Sequence, residues 1–280
     1  MASGTKKKGK GGSGVRAAAG AVNKKQVPWG TVIGAVVIVA LLVIVVGYYL
    51  VESAPMREQE AREEAAASFQ PTEQNPDPSK DIEGVEITEI KGSGHVKRHE
   101  RVAYDVEPPM GGPHEEFWAD CDGTVYPEAV RTENMVHTLE HGAVWIAYNP
   151  DKLDSDAIEL LKLRVDGKPY MVMSPYPGMD SPISVQAWGH QLRLDSAEDE
   201  RIDQFIAALR RNPSITPEPN GTCEASPATF NVDDPPPFNP EEPGKDAKPM
   251  DYNGNAGMGN TAGQQGAGQP GAGQPAPADK

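Results

Sequence analysis

The chain has 280 residues and a net charge of −15, from 26 basic and 41 acidic side chains. Seven of the basic residues (Lys6, Lys7, Lys8, Lys10, Arg16, Lys24 and Lys25) and none of the acidic ones precede residue 52, so the remainder is strongly acidic. Such a body lacks the basic face that phosphate binding requires, which excludes nucleic acid as a partner. The 29 Gly and 27 Pro gather near the ends and leave a middle the size of one ordinary domain.

In chain order, residues 1–28 form a basic tail. Residues 29–51, from Trp29 to Val51, are an uncharged apolar run that includes Val32, Ile33, Val36, Val37, Ile38, Leu41, Leu42 and Ile44. As a helix it would extend about 34 Å, enough to span a bilayer. Trp29 at one end and Tyr48 and Tyr49 at the other suit the two interfacial belts. The competing reading is a cleaved signal peptide; the run exceeds the usual apolar core of roughly 7–15 residues, while Glu-Ser-Ala-Pro after Val51 would suit cleavage. Lysines before the run and Glu52 after it predict a cytoplasmic N-terminus and an extracytoplasmic C-terminal domain. The membrane is thus one expected partner, through residues 29–51, and an envelope protein a second.

Residues 52–80 read as a charged juxtamembrane helix to Gln70, broken at Pro55, and a Pro-rich linker, Pro71–Ser79. The domain is placed at 81–225. Its predicted elements are a strand at Val85–Ile90, a short helix at Met135–His141 stopped by Gly142, and a strand at Ala143–Tyr148. A helix at Asp154–Val165, one strand at Tyr170–Ser174 and another at Ile183–Leu194, and an amphipathic helix at Ala197–Arg211 capped by Ser196 follow. This order predicts an α+β domain, a mixed β-sheet with packed helices for which a thioredoxin-like arrangement fits, without the Cys-x-x-Cys that redox chemistry would need. Residues 226–280, Pro-rich and acidic and then a Gly/Gln/Ala/Pro repeat, are expected to be a disordered tail.

Two residues, Cys121 and Cys223, are the whole cysteine complement. A disulfide between them closes a loop of about 100 residues, worth about 4–5 kcal/mol in the chain-entropy account. The alternative is a pair of metal-binding or redox thiols, for which motif spacing is lacking. All six histidines fall between residues 95 and 190. In His137-Thr138-Leu139-Glu140-His141 the two imidazoles share one face of a helix and can both reach one ion, while Glu140 lies on their flank. Imidazole suits zinc, copper, iron or nickel. The bland alternative is one histidine bonded to backbone and another at a helix C-terminus, where positive charge is favourable. The same His-x-x-Glu-His is the inverted zincin pattern, with Glu218 as the third ligand that pattern needs; the surrounding Thr-Pro-Glu-Pro is a loop rather than the expected helix. Gly-Gly-Pro holds His114 on a stiff loop. Met171-Val-Met173 offers thioethers for Cu(I), though alternation on a strand makes core packing the simpler account.

The run Gly94-His95-Val96, Tyr104, Pro108-Pro109, Gly112-Pro113-His114, Trp118, Cys121, Gly123, Tyr126-Pro127 and Val136 to Trp145 resembles the domain-of-unknown-function 3105 family. The likeness extends over roughly residues 82–224, including Ala187-Trp188-Gly189 and Pro217-Glu218. It implies a membrane-anchored bacterial envelope protein of the kind common in actinobacteria, and no particular activity. Its pattern picks out His95, His114, His137, Glu140 and His141, and not His99 or His190.

The expectation is therefore a membrane-anchored binding or transfer protein, not an enzyme. His114, His137 and His141 are its metal ligands, His95 a fourth, and Glu140 orients a ligand. Copper is the first expectation and zinc the second. Four ligands would close the site, whereas three would leave a position for catalysis. The rival is an envelope assembly module in which the histidines and Trp118, Trp145 and Trp188 build a rigid core; a metal-dependent hydrolase is third.

Overall fold

A computed structural model of the chain describes residues 27–254. The expected basic tail up to residue 26 and the Gly/Gln/Pro repeat from 255 onward lie outside the described residues. Two compact units divide after Glu52. The first contains helix α1, Trp29–Glu52, whose 24 residues bury no side chain within the protein. Helix α1 is long and apolar enough to cross a membrane.

The second unit begins with α2, Ala54–Ala66. Pro55, expected to break a helix, instead starts this one, because proline's missing N–H goes unused at the first turn. A six-stranded mixed sheet follows from β1 (Val85–Ile87), β4 (Asp122–Val125), β5 (Val144–Tyr148), β6 (Met171–Pro175), β7 (Ile183–Ala187) and β8 (His190–Leu194), ordered β1-β8-β7-β5-β6-β4. Strands β4, β6 and β5 are parallel, while the pairs β5–β7, β7–β8 and β8–β1 are antiparallel. This order is compatible with the anticipated thioredoxin-like arrangement. A separate two-stranded parallel sheet joins β2 (His95–Val96) to β3 (His114–Glu115).

All five residues of β5 are buried, as expected for a central strand covered on both faces. On one face Val144, Ile146, Met171, Met173, Ile183, Val185, Leu192 and Leu194 pack against α4 (Ser155–Lys162) and α5 (Arg201–Leu209) through Leu161, Ile202, Phe205 and Leu209. Met171 and Met173 are therefore core residues. On the other face Trp145, Ala147 and Val172 meet α3 (Thr132–Glu140), with Cys121, Tyr126, Val130, Met135, Leu139 and Cys223 around it. Asp154 caps α4 by accepting from the Ala157 N–H at 2.9 Å. The start expected for α5 at Ala197 moves to Arg201. Ser196 Oγ and Asp199 Oδ1 accept the Glu198 and Arg201 amides in a turn ahead of the helix.

Two segments are more ordered than their composition predicts. In the expected linker, Asp77 and Ser79 are buried and Pro78–Asp81 forms a 3₁₀ turn. In the expected tail, residues 226–254 pack on the domain. Pro237 bridges to Val130, Lys248 bridges to Val102, and Phe230 is buried with its ring edge-on to Tyr126. Aromatic anchors recover what ordering costs, and prolines reduce that cost in advance.

Candidate metal centre

The site is assembled by α3 and the β2–β3 pair. Register sets His95 opposite His114, so their rings fall side by side with centroids 5.0 Å apart. Helix α3 supplies His137 and Glu140 one turn apart, on one face. The His137 ring stacks 5.2 Å from His95 and lies 4.4 Å from His114. One donor atom from each of His95, His114, His137 and Glu140 falls in a group whose members all lie within 4.8 Å of one another, and all four residues are buried. These residues can hold a metal ion.

A charged network locks α3 to the β2–β3 pair. Glu115 is ion-paired with Arg131, which precedes α3, and also accepts from Asn134. Glu133 pairs with Arg131 at 3.2 Å and Arg101 at 3.6 Å, and accepts the Val102 amide. Burying these charges is tolerable only because each is paired and hydrogen-bonded. Gly142 ends the helix at φ 91°, where a Cβ would meet Thr216 Oγ1 at 2.8 Å.

Backbone carbonyls set the tautomers. His114 Nδ1 donates to Gly112 O at 2.8 Å and His137 Nδ1 donates to Glu115 O at 2.6 Å. Each ring then turns its Nε2 inward, as metal-ligating histidines do. His114 Nε2 is 3.0 Å from Glu140 Oε2, yet it is a buried atom with no hydrogen-bond partner. His137 Nε2 lies 3.9 Å from the same oxygen. Lone-pair-bearing atoms held this close repel unless a proton or a cation stands between them. Burial, reinforced by the His114, His141 and His95 rings, holds the His137 pKa well below its ordinary value. His95 is likewise lowered, by burial and then by His114, against the opposing pull of Glu140 and Glu116. Neutral imidazoles are the form that binds metal.

His141 stands one step outside. It follows α3 as the C-cap, its ring 4.7 Å from both His137 and Trp118, and is not a member of the four-donor group. Its Nδ1 donates to Thr222 O at 2.7 Å, and its Nε2 faces Glu218 Oε2 at 3.6 Å. Burial lowers the His141 pKa, and burial followed by Glu140 raises that of Glu218. The geometry thus exchanges two expected roles: Glu140 contributes a donor itself, and His141 borders the group. Among the described residues, His137, His141 and Glu218 form no comparable donor group, so the inverted zincin arrangement is not assembled. The β2–β3 register that completes the centre is invisible in sequence because each strand has two residues; only the stiff Gly-Gly-Pro before His114 hinted at it. His99 is exposed, and His190 pairs with Asp77 at 3.6 Å away from the group.

Cys121 and Cys223 are joined by a disulfide across 102 residues, which ties the loop carrying Thr222 and Glu218 beside α3.

Residues 95–225 match a family described as a protein of unknown function, DUF3105. No curated protein and no solved structure matches the chain. The match begins at His95 and includes every member of the donor group and both cysteines, and the chain accordingly carries a domain of the DUF3105 family.

Proposed function

We propose that this protein is a membrane-anchored metal-binding protein whose domain faces away from the cytoplasm, and that it holds zinc or copper for binding or transfer rather than catalysis. The observation that carries this reading is the approach of His114 Nε2, a buried atom with no hydrogen-bond partner, to Glu140 Oε2 at 3.0 Å inside a buried three-histidine, one-carboxylate group. A bound cation would take that nitrogen and that oxygen as ligands and leave neither unpartnered. Nitrogen and oxygen donors without thiolate suit a borderline divalent ion, so zinc and Cu(II) stand ahead of Cu(I). Four protein donors favour a closed site, which suits holding or passing on an ion. The placement rests on α1 and on the lysines before it, under the positive-inside rule.

The assembly-module alternative has no separate support. Trp145 is core, while Trp118 and Trp188 stand beside the histidines, Trp188 with its centroid 6.1 Å from His114.

Elemental analysis of the full chain, purified in detergent without metal-affinity tags or chelators, tests the proposal. Stoichiometric zinc or copper is expected in the wild type and none in His114→Ala/His137→Ala. A metal-free protein whose melting temperature is indifferent to added Zn(II) and Cu(II) would refute it.

A further inference from the structure

His141 is a buried imidazole that the inner group does not use. With Nδ1 committed to Thr222 O, its free nitrogen points to the Glu218 carboxylate 3.6 Å away. Behind it the rings continue inward, 4.7 Å to His137 and 4.4 Å from His137 to His114. Side-chain exposure falls along this line from 35% at Glu218 to 4% at His141 and His137 and 0% at His114. A carboxylate and a row of neighbouring imidazoles therefore lead from the partly exposed Glu218 to the buried group.

The outer pair is held in place by several bonds. Glu218 N donates to Glu140 O at 3.0 Å, and Gly221 N donates to Glu218 O at 2.9 Å. Gly221 lies against the His141 ring, where a Cβ would meet ring carbons at 2.5 Å. Tyr170 donates its hydroxyl to Gly221 O, and the disulfide fixes Cys223 two residues further on.

We infer that His141 and Glu218 form an outer station for a divalent cation, through which the ion passes between solvent and the inner His95/His114/His137/Glu140 group. The inference rests on the metal reading of that inner group. The carboxylate captures the hydrated ion, His141 replaces water on it, and the ion moves on to the histidines of the inner group.

The test is stopped-flow loading of the metal-free full chain in detergent with Co(II), followed through its visible absorption, and release to a chelator. Glu218→Gln and His141→Leu are expected to slow both uptake and release by about ten-fold or more, as loss of a focusing charge does. Stoichiometry and the final spectrum should stay as in the wild type. Glu116→Gln, which removes the exposed carboxylate on the His95 side, should load at the wild-type rate. Wild-type rates in Glu218→Gln would overturn the route, as would slowing confined to Glu116→Gln. A changed spectrum in His141→Leu would overturn it too, by making His141 an inner ligand. If the wild type takes up no Co(II), the metal reading fails and the route with it. Should His141→Leu fold poorly, Glu218→Gln alone decides, since that side chain is partly exposed.

Discussion

The two faces of the central sheet are built on opposite principles. The face covered by α4 and α5 is predominantly apolar and drawn from regular elements, with one buried ion pair, Arg164 to Asp203 at 2.8 Å. The face covered by α3 carries an apolar cluster of its own and beside it buries histidines, carboxylates and Arg131, and it draws on two-residue strands, loops and a disulfide. One face stabilises the fold through area removed from water. The other spends stability on holding polar atoms where an ion can use them. Changes on the first should cost stability without touching metal binding; changes on the second should do the reverse.

The disulfide gives the largest expected effect and the first challenge to that division, because it lies on the polar face yet acts on the whole chain. Cys121→Ala/Cys223→Ala should lose about 4–5 kcal/mol in urea unfolding, from the entropy returned to the denatured chain. Retention of full stability would mean the loop carrying Thr222 and Glu218 is held by its hydrogen bonds alone.

Phe205→Ala tests the aliphatic face. The ring is fully buried against the sheet, and its removal should cost about 3–5 kcal/mol. The variant should still bind metal with wild-type stoichiometry wherever it is folded. Loss of the ion from a folded variant would show that the faces are coupled through the sheet.

A pH series on metal-free protein sharpens the contrast from the other side. His137, His95 and His141 have pKa values lowered by burial, so the unfolded chain binds more protons than the folded one below about pH 6.5. Stability is therefore complete above that pH and falls as the pH drops, until the folded-state values are passed. Each histidine contributes up to about 1.4 kcal/mol per pH unit within its window. Denaturation midpoints between pH 7 and 5 measure the slope. His137→Gln should flatten it, whereas Phe205→Ala should shift the curve without changing its slope.

The same division explains what was legible in the sequence. Helical spacing of Ile202, Phe205, Ile206 and Leu209, and the apolar run Val144–Tyr148, announce the aliphatic face because period and burial are one signal there. Four of the residues singled out (His95, His114, His137 and Glu140) meet in the centre. That Glu140 is a donor and His141 a neighbour follows from where α3 ends and from the Thr222 carbonyl 81 residues away, which no local pattern encodes. The linker and the segment 226–254 are more ordered than their composition suggests for a related reason. Their composition is that of disordered chain, and the few groups that order them, buried Asp77 and Phe230 and the backbone bridge at Lys248, carry no periodicity.

The smallest expected effect lies on neither face. Arg193 on β8 pairs with Glu86 on the edge strand β1 at 3.3 Å, with both side chains well exposed to solvent. Such a pair gains little in water and loses side-chain entropy, so Arg193→Ala should change stability by less than about 1 kcal/mol. Its contribution should also fade as salt rises. The β1–β8 ladder and the packing of Val85 and Leu192 do not depend on it. A loss above about 2 kcal/mol, well beyond what an exposed pair provides, would mean that β1 is held by its charges rather than by its ladder. Stability would then have a third source at the sheet edge, and the division between an aliphatic face that stabilises and a polar face that binds would no longer account for the fold.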